Sequence, residues 1–242
     1  KEKNYSPLTV RAYLDDINSF QEYLKEQSVN LEEVVYPNVR NWIVILVEQN
    51  LSTTSVNRKI SALKSYYKFL LKVKQIAVNP LLKHKSLKTA KKVQIPFSEK
   101  ELQDVFSDND YSNDFEGIRN RLVIELFYTT GIRRAELINL KLNSVNEIQK
   151  TIRVVGKRNK ERIIPMLDCT LNLLKRYKEQ RNHLEVIKDK EMLILSKTGN
   201  KVSESFVYRL INDYFSTVSK KEKKSPHVLR HSFATHLLNN GA

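Results

Sequence analysis

The sequence predicts a mainly α-helical protein of two domains, with a small β-sheet or hairpin in the second. Three observations support this fold class. Apolar residues recur at helical spacing through the first ninety or so residues. A lysine-rich stretch without a clear apolar period follows them. Beyond that stretch, one segment alternates in strand fashion on both sides of a Gly-Lys-Arg-Asn-Lys centre, which is typical of a hairpin.

Three helices are predicted in the first domain. The first covers SPLTVRAYLDDINSFQEYLKEQ, where Pro7 lies at a position that favours a helix start. The second covers PNVRNWIVILVEQN and begins at Pro37 or Asn38. The third runs from about Thr53 to Val73, and its apolar spacing predicts one buried stripe. The members of that stripe are Val56, Ile60, Leu63, Tyr67 and Leu70.

A boundary between domains is predicted in VNPLLKHKSLKTAKKVQIPFSEK, which we interpret as a short helix followed by a linker. The predicted organisation is a helical domain over residues 1–90, a linker over 91–97 and a second domain over 98–242. Ser98 and Glu101 have the spacing of a capping box, so they predict a helix start in SEKELQDVF.

The second domain mixes helices and strands. FEGIRNRLVIELFYTTG predicts a long helix that ends at Gly131, and RRAELINLKLNSVN begins a short one. TIRVVGKRNKERIIPM predicts the hairpin, LNLLKRYKEQRNHL an amphipathic helix and MLILS a short strand. SESFVYRLINDYFSTVS and SPHVLRHSFATHLLNN predict two more helices, the last with Ser225 as its cap. Its core anchors are predicted to be Val228, Leu229, Phe233, Leu237 and Leu238.

Charge is the most informative feature of the composition. Lys and Arg number 42 against 27 Asp and Glu, a formal net charge of +15, which favours a polyanionic partner such as nucleic acid. Residues 49–98 contain no acidic residue. Within them, Lys64, Lys68 and Lys72 repeat every four residues along the third helix. This row favours a face that follows DNA phosphates, and the alternative is an ordinary solvated face.

Other features of the composition exclude some classes of protein. No apolar run approaches the length of a membrane span, and the first residues have no apolar signal-peptide core, so we expect a cytoplasmic protein. A single cysteine, Cys169, excludes an internal disulfide framework and a thiolate metal cluster.

The last predicted helix carries a cluster of polar residues. His227, Arg230 and His231 lie within about one quadrant of its circumference, whereas His236 points away from His227. A metal site is disfavoured because a third ligand is missing and the arginine would repel a cation. Two interpretations stay open. The histidines are core residues whose hydrogen bonds are satisfied, or the cluster is an anion site near the helix N-terminus.

Two further segments carry candidate functional residues. In TTGIRRAEL, Glu136 follows Arg133 by three residues, close enough to form an ion pair with it. An ordinary surface pair is the alternative. In VVGKRNKER, Lys157 and Lys160 lie at the hairpin tip, where a lysine either faces solvent or reaches into a groove or an active site.

Taken in order, these segments resemble the tyrosine recombinase (phage-integrase-type) family, and within it the Xer-like resolvases. The matching segments are TTGIRRAELINL, VVGKRNKERIIPM and SPHVLRHSFATHLLNNGA, and SPLTVRAYLDDINSFQEYL resembles the helical core-binding domain of the family. The resemblance implies a two-domain DNA clamp, in which a SAM-like core-binding domain is followed by a catalytic domain. It also implies a site-specific recombinase that cuts and rejoins duplex DNA through a 3′-phosphotyrosyl intermediate.

The resemblance implies a role for each matching residue. Arg133 and Arg230 match the arginines that hold the scissile phosphate, Lys157 matches the general acid, and His227 matches the acid/base histidine. Glu136 and His231 are expected to orient these residues without contacting the phosphate themselves. Neither a metal nor a cofactor is implied. The expected DNA-contacting residues are Arg58, Lys59, Lys64, Lys68, Lys72, Arg134, Arg158 and Lys160.

One departure from the family pattern concerns the nucleophile. The sequence contains eleven tyrosines, and the last, Tyr214, precedes the His-x-x-Arg helix, so none matches the family's tyrosine by position. We therefore expect this polypeptide to bind DNA without forming a covalent intermediate. The resemblance further implies a tetramer of protomers on paired sites, and an activating translocase is a candidate partner. The alternative function is a non-catalytic DNA-binding regulator of the same fold.

Overall fold

A computed structural model describes residues 5–90, 94–107, 111–156 and 159–241. The chain divides into two compact units, Lys1–Lys92 and Val93–Ala242. The division falls inside the stretch that the sequence predicts to be a linker. Within the described residues, the first unit contains helices and turns, and the second contains helices and one three-stranded sheet. The predicted fold class is confirmed.

Three helices form the first unit, namely α1 (Pro7–Glu26), α2 (Tyr36–Glu48) and α3 (Thr53–Lys72). The predicted stripe of α3 is confirmed, since all five of its members are buried. Helix α2 begins at Tyr36 because the Asn38 side chain accepts a bond from the Val35 amide. The short helix predicted after α3 is wrong. Residues 80–83 form a turn, in which the Asn79 side chain accepts a 2.8 Å bond from the Leu81 amide.

The second unit contains six α-helices among its described residues. They are α4 (Glu99–Val105), α5 (Phe115–Thr130), α6 (Arg134–Ile138), α7 (Asp168–Asn182), α8 (Glu204–Val218) and α9 (Pro226–Asn239). Helix α5 is buried along most of its length and packs against α7, α8 and α9. Helix α9, which carries His227 and Arg230, is therefore packed on this largely buried helix.

The sheet is antiparallel and has the order β1 (Val145–Asn146), β2 (Thr151–Val155), β3 (Glu161–Pro165). The predicted hairpin is confirmed as β2 and β3, whereas β1 is too short to show a period. The strand predicted for MLILS is wrong, since Met192 and Leu195 form isolated bridges only. Residues 193–195 are all buried, so this apolar run fills the core instead of alternating between two faces.

Helix α9 is anchored by its first half. Val228 and Leu229 are buried as predicted, but Leu237 and Leu238 are 47% and 69% exposed, so their prediction as core residues is wrong. Ser232 and His236 occupy the buried face instead, because the Ser232 hydroxyl accepts a 2.7 Å bond from the Phe97 amide and His236 meets Tyr128. Within the described ranges, no helix has the length and apolar character needed to cross a membrane.

Candidate active site

The junction between α5 and α6 brings Arg133 close to α9. Gly131 ends α5 with a φ of +56°, a conformation that glycine adopts without strain. A Cβ atom at Gly131 would lie 2.4 Å from the Phe233 ring, so the turn packs directly on α9. Arg133 lies two residues after Gly131 and immediately precedes the first residue of α6.

Glu136 lies at the centre of the site, and its side chain is only 3% exposed. One of its carboxylate oxygens accepts a 2.8 Å bond from the Arg133 amide, and the other accepts a 2.8 Å bond from the Arg133 guanidinium. Arg162 on β3 donates a parallel pair of 2.7 Å bonds to the same two oxygens. Both guanidinium groups are therefore held by a single buried carboxylate.

The electrostatics of Glu136 follow from these bonds. Burial by itself raises the pKa of this carboxyl, because it disfavours the charged form. The hydrogen bonds from Arg162 and Arg133 outweigh burial and lower the pKa from 4.5 to about 2. Bonding to Glu136 in turn raises the pKa of Arg162. Glu136 is thus ionised over the whole physiological range.

Arg230 on α9 completes the Glu136 cluster, a name we use for Glu136, Arg133, Arg162 and Arg230. Burial lowers the pKa of Arg230, and the charges of Arg133 and Arg162 lower it further while Glu136 opposes them. Within the part of the chain that the structure describes, the Arg230 guanidinium has no hydrogen-bond or ion-pair partner. The cluster therefore contains three guanidinium groups and one carboxylate, a surplus of two positive charges that favours an anion.

Arg162 is a residue that the sequence analysis missed. It pairs across the hairpin with Val154, whose side chain is buried, so it faces inward on β3. A charged residue at an inward strand position is unusual unless it is paired, and that signal could have identified Arg162.

The tip of the hairpin approaches the same carboxylate. A Cβ atom on Gly156 would lie 3.0 Å from a Glu136 oxygen, and the Gly156 amide donates a 2.7 Å bond to the Lys160 carbonyl. The Lys160 side chain is exposed. Lys157 and Arg158 lie outside the described residues.

The remaining candidate residues of the second unit differ in their exposure and in their contacts. His227 and His231 are exposed on α9, whereas His236 is buried and lies 3.1 Å from the Tyr128 hydroxyl, so His236 is structural. Arg134 forms a 2.5 Å ion pair with Glu204 at the start of α8. The described residues contain no group of three side chains arranged to hold a metal ion.

The basic residues of α3 do not form one uniform row. Arg58 and Lys59 both bind Asp16, whose side chain is 2% exposed. Lys64 is half-buried and donates a 3.0 Å bond to the His84 carbonyl. Lys68 and Lys72 are exposed. The exposed cations of this helix are therefore Arg58, whose side chain stays 49% exposed, Lys68 and Lys72.

Known proteins match both units. Residues 97–242 match the Phage integrase family, and residues 1–74 match the Phage integrase, N-terminal SAM-like domain. Tyrosine recombinase XerC of Staphylococcus epidermidis is 35% identical over 241 residues, which cover 100% of this chain and 81% of the relative. Tyrosine recombinase XerC of Anoxybacillus flavithermus is 37% identical over 245 residues, with the same two coverages.

A solved structure shares the fold. The XerH site-specific recombinase bound to a palindromic difH substrate, in a post-cleavage complex, matches with a TM-score of 0.80. The match covers 99% of this chain and 71% of that one at 21% sequence identity, so it supports the fold alone.

Proposed function

Because this chain belongs to the phage integrase family, we propose that it is a tyrosine-type site-specific DNA recombinase. It cuts and rejoins duplex DNA at recombination sites, in resolution of chromosome or plasmid dimers or in integration of a mobile element. The similarity to tyrosine recombinases does not favour the alternative of a non-catalytic regulator. The observation that carries the proposal is the Glu136 cluster, whose surplus positive charge has the size and sign that a phosphodiester in its transition state requires.

Phosphate binding falls to Arg133 and Arg230. As a nucleophile attacks phosphorus, charge builds on the nonbridging oxygens, and guanidinium groups stabilise it through paired hydrogen bonds. Arg230 keeps all its donors available among the described residues. The Arg133 guanidinium gives one bond to Glu136, and the Arg133 side chain stays 53% exposed. Glu136 holds Arg133 in place, and His231 beside Arg230 supports the same end of the site.

The proton transfers fall to Lys157 and His227. A tyrosine oxygen forms the bond to phosphorus while the bond to the 5′-oxygen breaks. His227 takes the tyrosine proton, and Lys157 gives a proton to the leaving 5′-oxygen. A 5′-hydroxyl of a second strand then reverses the step. The phosphotyrosyl bond conserves the energy of the broken bond, so the reaction needs no cofactor.

DNA binding involves both units through basic residues, and duplex DNA is the partner. The residues proposed to contact its backbone are Arg58, Lys68, Lys72, Arg134, Arg158 and Lys160. Lys59 and Lys64 were expected among them, but Lys59 is enclosed beside Asp16 and Lys64 donates to the His84 carbonyl. In recombination, protomers assemble as a tetramer on paired sites, in the cytoplasm and at the nucleoid, with a translocase as a candidate activator.

The test is Arg230→Ala in a form of the protein that supplies a nucleophilic tyrosine. Strand exchange should be abolished while binding to a single site is largely kept, because Arg230 mainly stabilises the transition state. Arg209→Ala, which removes an exposed arginine of α8, is the matched control. Equal losses of exchange and binding in Arg230→Ala would favour the regulator instead.

A second test concerns the nucleophile. A polypeptide of these 242 residues should bind a nicked recombination site without forming a covalent adduct on a denaturing gel. An adduct would contradict this expectation and indicate an unexpected nucleophile.

A further inference from the structure

A buried carboxylate lies in the first unit, away from the Glu136 cluster. Asp16 is on α1, and its side chain is only 2% exposed. One of its oxygens binds the Arg58 guanidinium, and the other lies 3.3 Å from the Lys59 ammonium. Both cations come from α3, so each oxygen of the carboxylate has its own positive partner. A buried carboxylate requires such partners to remain charged.

The two cations differ in what remains available for a ligand. The Lys59 side chain is 15% exposed, and its ammonium lies 5.7 Å from the centre of the Trp42 ring, so Lys59 is largely enclosed. The Arg58 side chain is 49% exposed. Arg58 binds Asp16 through one of its terminal nitrogens, and a guanidinium has five N–H donors. Asp16 therefore immobilises Arg58 and leaves most of its donors facing solvent.

Immobilisation matters for a phosphate contact. A free arginine loses its rotamer freedom when it binds a phosphate, whereas an arginine that is already fixed loses little. Lys68 on the same helix gives the contrast, since it is exposed and makes no bond within the described ranges. Arg58 is therefore a cation of α3 that is both fixed by an ion pair and half exposed to solvent.

We propose that Asp16 is a positioning residue for DNA binding, which holds the Arg58 guanidinium at the surface of α3 to bind a backbone phosphate. The inference rests on the proposed function, because it requires duplex DNA as the ligand. A negatively charged residue would then strengthen the binding of a polyanion, whereas net charge alone predicts that it weakens binding.

A pure charge effect and the positioning of Arg58 predict opposite changes in DNA affinity when Asp16 is replaced. If Asp16 acts only through its charge, Asp16→Asn makes the protein more basic and tightens DNA binding. If Asp16 positions Arg58, Asp16→Asn frees the side chain and weakens binding, by about three- to tenfold for one immobilised arginine. Asp16→Asn should leave the slope of log affinity against log salt unchanged, whereas Arg58→Ala, which removes the phosphate contact itself, should lower it by about one.

Asp15→Asn is the matched control. Asp15 is the neighbouring residue on α1, it is exposed, and its substitution changes the net charge by the same amount. The experiment measures binding of the 242-residue chain to a short fluorescein-labelled duplex by anisotropy at several salt concentrations. We expect Asp15→Asn to bind as tightly as the wild type or more tightly, and Asp16→Asn to bind more weakly. Tighter binding by both variants would overturn the inference.

Two further variants separate positioning from damage to the fold. In an Arg58→Ala background, Asp16→Asn should no longer weaken binding, because no arginine remains to be positioned. Arg58→Lys keeps the charge but has no planar fork, and it should weaken binding as Arg58→Ala does. Fluorescence of Trp42, the only tryptophan, reports whether the first unit is folded. If Asp16→Asn does not fold, the comparison of Arg58→Lys with the wild type decides, and equal affinity overturns the inference.

Failure of the proposed function has a different signature. A wild-type chain without salt-dependent binding to the duplex would overturn both the proposed function and this inference. A wild-type chain that binds, with Asp16→Asn indistinguishable from Asp15→Asn, would overturn the inference alone.

Discussion

Substitution of Glu136 by glutamine should destabilise the second unit in a pH-dependent way. The folded state lowers the pKa of Glu136 from 4.5 to about 2, and one pKa unit corresponds to about 1.4 kcal/mol. The carboxylate therefore contributes about 3 kcal/mol to the free energy of unfolding. Removal of one partner from a buried ion pair typically costs about 3–5 kcal/mol, which agrees with that figure.

The sign of the pH effect follows from the direction of the shift. A carboxyl whose pKa is lowered by folding contributes its full stabilisation above its unfolded pKa of 4.5. The contribution is lost as the pH falls through the folded pKa of about 2. The difference between wild type and Glu136→Gln should be about 3 kcal/mol at neutral pH and should shrink below pH 4.5.

The measurement is urea denaturation followed by far-UV circular dichroism at several pH values. Fluorescence of Trp42 follows the first unit separately and should not change, since Glu136 lies in the second. Glu191→Gln is the control, because Glu191 forms an exposed 2.9 Å pair with Lys141 and should matter little. A Glu136→Gln variant that is destabilised no more than Glu191→Gln, or whose loss of stability is independent of pH, would contradict this expectation.

Three further substitutions test the packing of the second unit by the same denaturation assay. Gly131→Ala should cost about 1–2 kcal/mol from the positive φ alone, and more because the new Cβ meets Phe233; an unchanged midpoint would contradict the close approach. Arg162→Lys should cost about 1–2 kcal/mol because lysine cannot donate the parallel pair of bonds to Glu136, and a loss no greater than that of Arg153→Lys, an exposed arginine of β2, would contradict it. Tyr177→Phe should cost about 2 kcal/mol because the Leu193 carbonyl and Leu195 amide lose a buried partner, and a neutral effect would show that those groups find another.

The elements of the fold were largely predictable because they depend on neighbours in the chain. The cap at Ser98 and the stop at Gly131 are interactions within one helical turn, and the buried stripe of α3 follows from the spacing of apolar residues along one helix. The errors occurred where local pattern and packing diverge. Residues 193–195 look like a strand but are buried as an irregular run, and Leu237 and Leu238 look like core but lie exposed on the distal half of α9.

The sequence by itself determined the chemical character of the site. Arg133, Glu136, Arg230 and His227 were predicted as site residues from their residue types, their order and the segments around them, and the structure brings Arg133, Glu136 and Arg230 together. Ion pairing between Arg133 and Glu136 was also predictable, since three residues separate them on one helical turn.

Only the tertiary structure decided how those charges are shared. Arg162 meets Glu136 across 26 residues, and Arg58 meets Asp16 across 42, so neither pair follows from local periodicity. A buried charged side chain requires a partner of opposite charge, but the identity of that partner depends on which element packs against the side chain. Because β2 packs on α6, Arg162 of the neighbouring strand β3 reaches Glu136, which therefore binds two arginines. Because α1 packs on α3, Asp16 encloses Lys59 and holds Arg58 in place while the Arg58 side chain stays half exposed.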